Sequence, residues 1–195
     1  DEAERLFKIQ YPAVFEHLAQ FRSGLSNRDR TETGIRYEWY ALQRYREYWR
    51  EFTIPKIVMP SISNNVNFAA DYVGYFSNDK TNICIPPSIP YALAIANSQI
   101  SWWYAQQVFA SKQGGFYEFK PMYVSQLPIP QASAQQQRII ETVANYLIWL
   151  NGAEKQRQGV DTLMIGYFEQ FLNGLVYELF FPDELHAQKL TLFRY

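Results

Sequence analysis

The stretch Lys56 to Pro86, KIVMPSISNNVNFAADYVGYFSNDKTNICIP, decides how the chain folds. Its short runs of β-branched and aromatic residues predict strands. TIPKIVMP, punctuated by Pro55 and Pro60, is the first, because proline is confined to strand ends and edges. NFAADYVGYFSN and KTNICIP follow as two strands joined by a tight polar turn at Ser77 to Lys80. Between the apolar runs lie SISNN and SNDKTN, clusters of amides, hydroxyls and one lysine. Asn64, Asn65, Asn78 and Asp79 are residue types preferred in turns for their own hydrogen bonding. The same side chains carry donors and acceptors suited to reading a partner, and both readings stand open at this point.

Upstream, Leu6, Phe7, Tyr11, Val14, Phe15, Leu18 and Phe21 recur mostly at three- and four-residue steps, broken by Pro12. That pattern predicts a short lead-in and a helix from about Pro12 to Leu25. SNRDRTETG is then a polar loop holding Arg28 and Arg30. IRYEWYALQRYREYWREF, with Trp39, Tyr40, Tyr45, Tyr48 and Trp49, predicts a short extended piece and a helical turn before the first strand.

Downstream, IPYALAIANSQISWWYAQQVFA has helical length and spacing, SKQGG is a flexible loop, and FYEFKPMYVSQLPIP returns to extended structure. Then come two helical stripes, Ile139, Ile140, Val143, Leu147 and Leu150, followed by Leu163, Met164, Tyr167, Phe168, Phe171, Leu172, Leu175 and Leu179. NGAEKQRQG has two readings, a turn that joins them or a partly helical segment. The expectation is an α+β chain: residues 1–131 as a mixed β-sheet domain with flanking helices, and residues 132–195 as a helical hairpin packed on it or used as a spacer.

The 195 residues suffice for one substantial core, and 48% apolar with 17% aromatic content marks a globular chain. With 18 Lys+Arg against 19 Asp+Glu, no global positive field attracts nucleic acid, so any such binding rests on a local patch. The single Cys84, between isoleucines, reads as a small buried thiol and fits a reducing cytoplasm. YALAIANSQISWWYAQQVFA carries too many amides for a bilayer span, so no membrane partner is expected. The chain begins at Asp1, which reads as a fragment or an excised domain.

Catalytic patterns are sparse. Neither a phosphate-cradling G-x-x-x-x-G-K-[ST] run nor a dinucleotide G-x-G-x-x-G run occurs, and no G-x-S-x-G elbow anchors serine chemistry. His17 and His186 stand apart from each other and from Cys84, which gives zinc no ligands at workable spacing and reads both as structural or solvent-facing. One candidate remains: Glu118 and Lys120 form an E-x-K triplet of the kind metal-dependent nucleases use, with Asp71 or Asp79 as the upstream acid.

Several segments, in order, resemble a known family. YPAVFEHLAQFRSGLSNR is similar to the helix and L-x-x-R ending that open the specificity, or target-recognition, domain of TaqI-like and type IIG restriction-modification enzymes. EWYAL resembles its W-x-x-L, PKIVMPSIS with NFAAD its K-I-V-x-P-x-I-S and F-x-x-D core, and YFSNDKTNICI its next hairpin. ALAIANSQISWWY resembles its L-L-N-S helix, and GGFYEFKPMYVSQLPIP its glycine pair, aromatic and closing L-P-I-P. YFEQFLNGLVYELFFPDEL is similar to the family's D-x-x-V-Y-x-L-Y helix, although Asn173 stands where an acidic residue is commoner, and Phe119 and Lys120 replace the usual arginine neighbourhood.

What the resemblance implies is sequence-specific reading of double-stranded DNA for an adenine-specific methyltransferase, often fused to a nuclease. The methyltransferase domain of the same polypeptide would be the protein partner. S-adenosylmethionine and Mg²⁺ would be cofactors of the full enzyme and none is expected here, since N-P-P-Y and a glycine-rich cofactor loop are absent and IPPS at Ile85 to Ser88 lacks the asparagine. The DNA-contacting set it implies is Arg28, Arg30, Arg36, Ser61, Ser63, Asn64, Asn65, Asn78, Lys80, Lys112, Gln113, Gly114, Gly115, Tyr117 and Lys120. Trp39, Trp102 and Trp103 read as core. A separate specificity subunit, with the helical tail as a protein-interaction element, is the alternative in a different class of function.

Overall fold

The lead-in expected before Pro12 is a helix of its own. The computed structural model describes residues 2–28, 38–42, 47–152, 159 and 161–193. Arg30, Arg36, Tyr45 and most of the turn NGAEKQRQG lie outside the described residues. The chain divides into two compact units, Asp1–Trp49 and Arg50–Tyr195.

In the first unit, helix α1 (Glu2–Gln10) ends because Pro12 keeps Tyr11 out of the helical region, and α2 (Pro12–Ala19) starts with that proline in its first turn. The single helix expected to Leu25 breaks at Gln20 and Phe21, and α3 (Arg22–Ser26) is a five-residue remainder in which Ser23 and Gly24 are weak helix formers. Phe7, Phe15, Trp39 and Tyr40 pack ring against ring, with the Arg22 guanidinium over Trp39.

A 3-10 helix at Glu47–Thr53 leads into β1 (Lys56–Pro60). The α+β class expected from the sequence is what the structure shows, but the strands form two three-stranded antiparallel sheets where one mixed sheet was expected. In the first sheet β1 lies between β3 (Ala69–Asp71) and β4 (Thr81–Cys84). The expected hairpin between β3 and β4 is therefore not formed. Asp71 accepts the N–H groups of Val73, Gly74 and Tyr75, which turns the chain out of the sheet and sends β4 to the other side of β1.

Ser61 makes the corner between the sheets: its N–H donates to Lys80 O of the first, and its carbonyl accepts from Phe119 N of the second. The second sheet runs β2 (Ile62–Ser63), β6 (Phe116–Glu118), β5 (Ser111–Lys112).

The long helix expected from Ile89 is two, α4 (Ile89–Ala96) and α5 (Gln99–Val108). Asn97 and Ser98 supply a stop and a restart: the Ser98 hydroxyl accepts Ser101 N, and the Asn97 amide pairs with both main-chain groups of Phe68. The extended piece expected after β6 turns into α6 (Pro121–Val124), again begun by a proline. Then follow α7 (Ala134–Asn151), opened by a capping box between Ser133 and Gln136, α8 (Thr162–Phe180) and α9 (Pro182–Ala187).

Helix α4 is apolar on both sides, which is why it is buried all round. Ile89, Leu93 and Ala96 face the core under the sheets with Ile57, Met59, Phe68, Phe109 and Phe119. Tyr91, Ala94 and Ile95 face a second core with Ile140, Leu147, Leu172, Leu175 and Val176 of α7 and α8. The tail stripe is shorter than its sequence pattern: Leu163 is 81% exposed and Tyr167 also faces solvent. Trp103, expected in the core, is 61% exposed, and Cys84, expected buried, is half-buried on an edge strand, where desolvation still raises its thiol pKa. Among the described residues no helix is long and apolar enough to cross a membrane.

Candidate nucleic-acid interface

The second sheet is small, and its register decides what it presents. Ser63 lies opposite Tyr117, Ile62 opposite Glu118, and Lys112 opposite Phe116. Cross-strand partners share a face, so Ile62, Lys112, Phe116 and Glu118 stand on one side and Ser63, Tyr117 and Ser111 on the other. The first side is open to solvent at Ile62, Lys112 and Phe116. The second packs inward at Ser63 and at Tyr117, whose ring meets Trp102 edge-on, while Ser111 at its margin is exposed. Tyr117 is thereby a support for the sheet and does not face outward.

The same register brings the loop after β2 and the turn between β5 and β6 to one end of the sheet. Gln113, Gly114 and Gly115 form that turn, and both glycines take positive φ, which a side chain would strain. Among the described residues nothing lies in front of Gly115, so a partner can approach the main chain there.

At this end the hydrogen bonds sort the candidates. Ser63 is buried, and its hydroxyl accepts Asn65 N. Asn65 accepts Val66 N with its own side-chain carbonyl, so its oxygen forms the turn. Asn64 and Gln113 are exposed and make no hydrogen bond among the described residues, which leaves both full amides presented.

The opposite end of β2 holds Ser61, Asn78, Lys80 and Lys120. Asn78 accepts Lys80 N and is a turn former, while the Ser61 hydroxyl donates to Asp79 O and accepts from the Asn82 side chain. Asn82 also donates to Phe119 O, tying the two sheets at this corner. Sequence reading passed over Asn82, Asn97 and Lys56, because an amide or lysine that bonds main chain across the fold has no local signature. The stretch from Ser61 to Asn64 spans about 10 Å at strand rise, comparable with the roughly 12 Å width of the DNA major groove.

Lys112 and Lys120 converge on one oxygen, Glu118 Oε1, at 2.9 and 3.1 Å. Hydrogen bonds from Lys112 and then Lys120 hold the Glu118 carboxyl below the ordinary glutamate value, against a smaller desolvation effect. Asp71, offered above as a partner acid in an E-x-K metal site, is instead ion-paired with Lys56 in the first sheet, and Asp79 pairs with Lys80. Among the described residues no three His, Cys, Asp or Glu side chains gather in a way that would hold a metal ion. Arg28, in the first unit, donates to the carbonyls of Leu25, Trp39 and Ala41, so its guanidinium fastens the end of α3 to the Trp39 turn.

A family model described as the TaqI-like C-terminal specificity domain matches residues 13–129, more than half of the 195. No curated protein matches the chain.

Proposed function

The chain belongs to the TaqI-like C-terminal specificity domain family, and from that premise we propose that it reads duplex DNA sequence with the β2-β6-β5 sheet and its two terminal loops, on behalf of an adenine-N6 methyltransferase of the type IIG kind. DNA sequence recognition in restriction-modification enzymes is the family's role. The observation that carries the assignment to this sheet is that its register brings Asn64 and Gln113 to the same end of it, both exposed and both with side chains free of hydrogen bonds among the described residues. A side-chain amide matches the paired donor and acceptor of adenine in the major groove. Lys112, Lys120 and Lys80, with Ser61 and the Gly114–Gly115 main chain, serve the phosphates. Ser63, Asn65, Asn78 and Tyr117 shape and back the loops that carry them.

In this reading the domain is non-catalytic. The methyl donor S-adenosylmethionine and any Mg²⁺ belong to the methyltransferase and nuclease domains, which act on the bound site. No glycine-rich cofactor loop or N-P-P-Y run is available here to hold the donor.

Selection from a randomised duplex pool tests the assignment. The chain is expected to enrich one site, and Asn64→Ala or Gln113→Ala is expected to relax a single base pair of it, by about 1 to 3 kcal/mol of discrimination for a bidentate contact. Enrichment of the same site at the same stringency by both variants would show the two amides to be turn residues only.

The separate-subunit alternative keeps one supporting observation: Trp149, Leu163 and Tyr167 are exposed on α7 and α8. If that face binds protein, Leu163→Glu with Tyr167→Glu is expected to lower the solution mass of an oligomer to that of one chain, at unchanged DNA affinity. A single-chain mass for the unsubstituted protein would remove the support for self-association.

A further inference from the structure

Two ammonium groups held against one carboxylate oxygen are more cation than a carboxylate requires. Lys112 comes from β5 and Lys120 from the N-cap of α6, and both reach Glu118 Oε1 on the solvent side of the sheet. Their mutual repulsion is offset by Glu118, and the cluster keeps a net charge of +1 with both lysine side chains about half exposed. An oxyanion brought to that face meets a pair of converging donors with the geometry already set, which is the charge-assisted arrangement that suits a phosphate oxygen.

We propose that Lys112, Lys120 and Glu118 form a gated clamp for one DNA backbone phosphate, in which Glu118 holds the two ammoniums together and competes with the phosphate for them. The proposal rests on the DNA-reading function above and adds a positioning and specificity role for Glu118. A phosphate on an arbitrary duplex must displace a tethered carboxylate before it gains both lysines. On the cognate duplex, base contacts at Asn64 and Gln113, in the loops at one end of the same sheet, hold the backbone in place while the exchange occurs. Glu118 therefore lowers non-cognate affinity more than cognate affinity, and sharpens selectivity without touching a base.

Glu118→Gln keeps the shape and removes the charge. In the full chain, titrated with a non-cognate duplex over a range of salt, it is expected to bind more tightly than the unsubstituted protein. The slope of log affinity against log salt should steepen by about 0.9, one additional counterion released. Adding Lys112→Gln and Lys120→Gln to the same chain should abolish both gains. Unchanged or weaker binding by Glu118→Gln, at an unchanged slope and an unchanged thermal transition, overturns the clamp and leaves Glu118 as a sheet residue. A measurement on the unsubstituted protein is independent of how the variant folds: the Glu118 side-chain carboxyl resonance is expected to shift when duplex saturates the protein, and an unmoved resonance also overturns the proposal. Failure of the unsubstituted chain to bind any duplex at low salt overturns the DNA-reading function itself, and the clamp with it.

Discussion

Asp71→Ala is expected to destabilise the unit Arg50–Tyr195 by about 3 to 5 kcal/mol, the usual cost of removing one partner of a buried ion pair. Lys56 is 0% exposed and its ammonium donates to Asp71 and to Phe52 O. Removing the aspartate leaves that charge buried with no counter-charge at its side, facing the carbonyl and the ring of Phe52. It also releases the N–H groups of Val73, Gly74 and Tyr75, whose turn routes the chain from β3 to β4. Gly74 cannot compensate by taking a side chain, because its φ is +93° and a Cβ would press on Thr53 O at 3.2 Å.

Denaturant unfolding of Asp71→Ala, of Lys56→Met and of the double variant checks the origin of the loss. The double variant is expected to lose less than the two single variants summed, because it leaves no unpaired charge. Additive losses would mean that the ion pair is not the source.

The same pair sets an acid limit. Burial alone would raise the Asp71 carboxyl, but the Lys56 hydrogen bond and the three main-chain N–H groups outweigh it and hold it below the ordinary aspartate value. With the folded value depressed, its contribution is fully present above the unfolded aspartate pKa of about 3.9 and is lost as pH falls through the folded one. Stability of the unsubstituted chain should therefore fall with acid more steeply in that window than stability of Asp71→Asn.

Phe119→Ala is expected to cost about 3 to 5 kcal/mol as well, by loss of buried surface and the cavity left behind. Its ring is 0% exposed and meets Phe68 and Phe109 edge-on, at ring-centre distances of 5.4 Å each. Its main chain bonds Ser61 and Asn82, so the residue joins the core to the corner where the two sheets meet. Glu118 and Lys120 are its chain neighbours, and Asn64 lies three residues beyond Ser61. Phe119→Leu, which refills most of the space, should recover much of the stability. Calorimetry measures both variants, and a loss below about 1 kcal/mol for alanine would mean that the core closes around the gap. DNA selectivity should fall in parallel with stability, since the loops hang from the corner that Phe119 supports.

The sequence by itself determined the class and many of the elements. Prolines at positions 12, 55, 60, 90 and 121 punctuate helices and strands through fixed φ and a missing donor, which is local chemistry and is readable without a fold. The stripes of α7 and α8 follow from a 3.6-residue period, and the order of six weak motifs pointed to the specificity-domain family that the match over residues 13–129 bears out. SISNN and SKQGG are legible as polar interruptions, but each carries a two-residue strand where a loop was expected, β2 at Ile62–Ser63 and β5 at Ser111–Lys112, because pairing with β6 supplies the main-chain partners that their composition does not announce.

What they are for individually was not legible. Asn64 and Asn65 are neighbours of one type, yet Asn65 uses its oxygen on Val66 N while Asn64 faces outward. The Asn65 bond is to its own chain neighbour; what the register of β2 on β6, about fifty residues apart in the chain, adds is to bring Asn64 to the same end of the sheet as Gln113. Glu118 resembles half of a metal site beside Lys120 until the β5–β6 hairpin folds Lys112 back onto the same carboxylate oxygen. Local residue types set where the chain turns and, at Asn65 and Asn78, which amides are spent on their own turns; the pairing of β2 with β6, which no local pattern encodes, decided which of the remaining groups stand together at one end of the sheet.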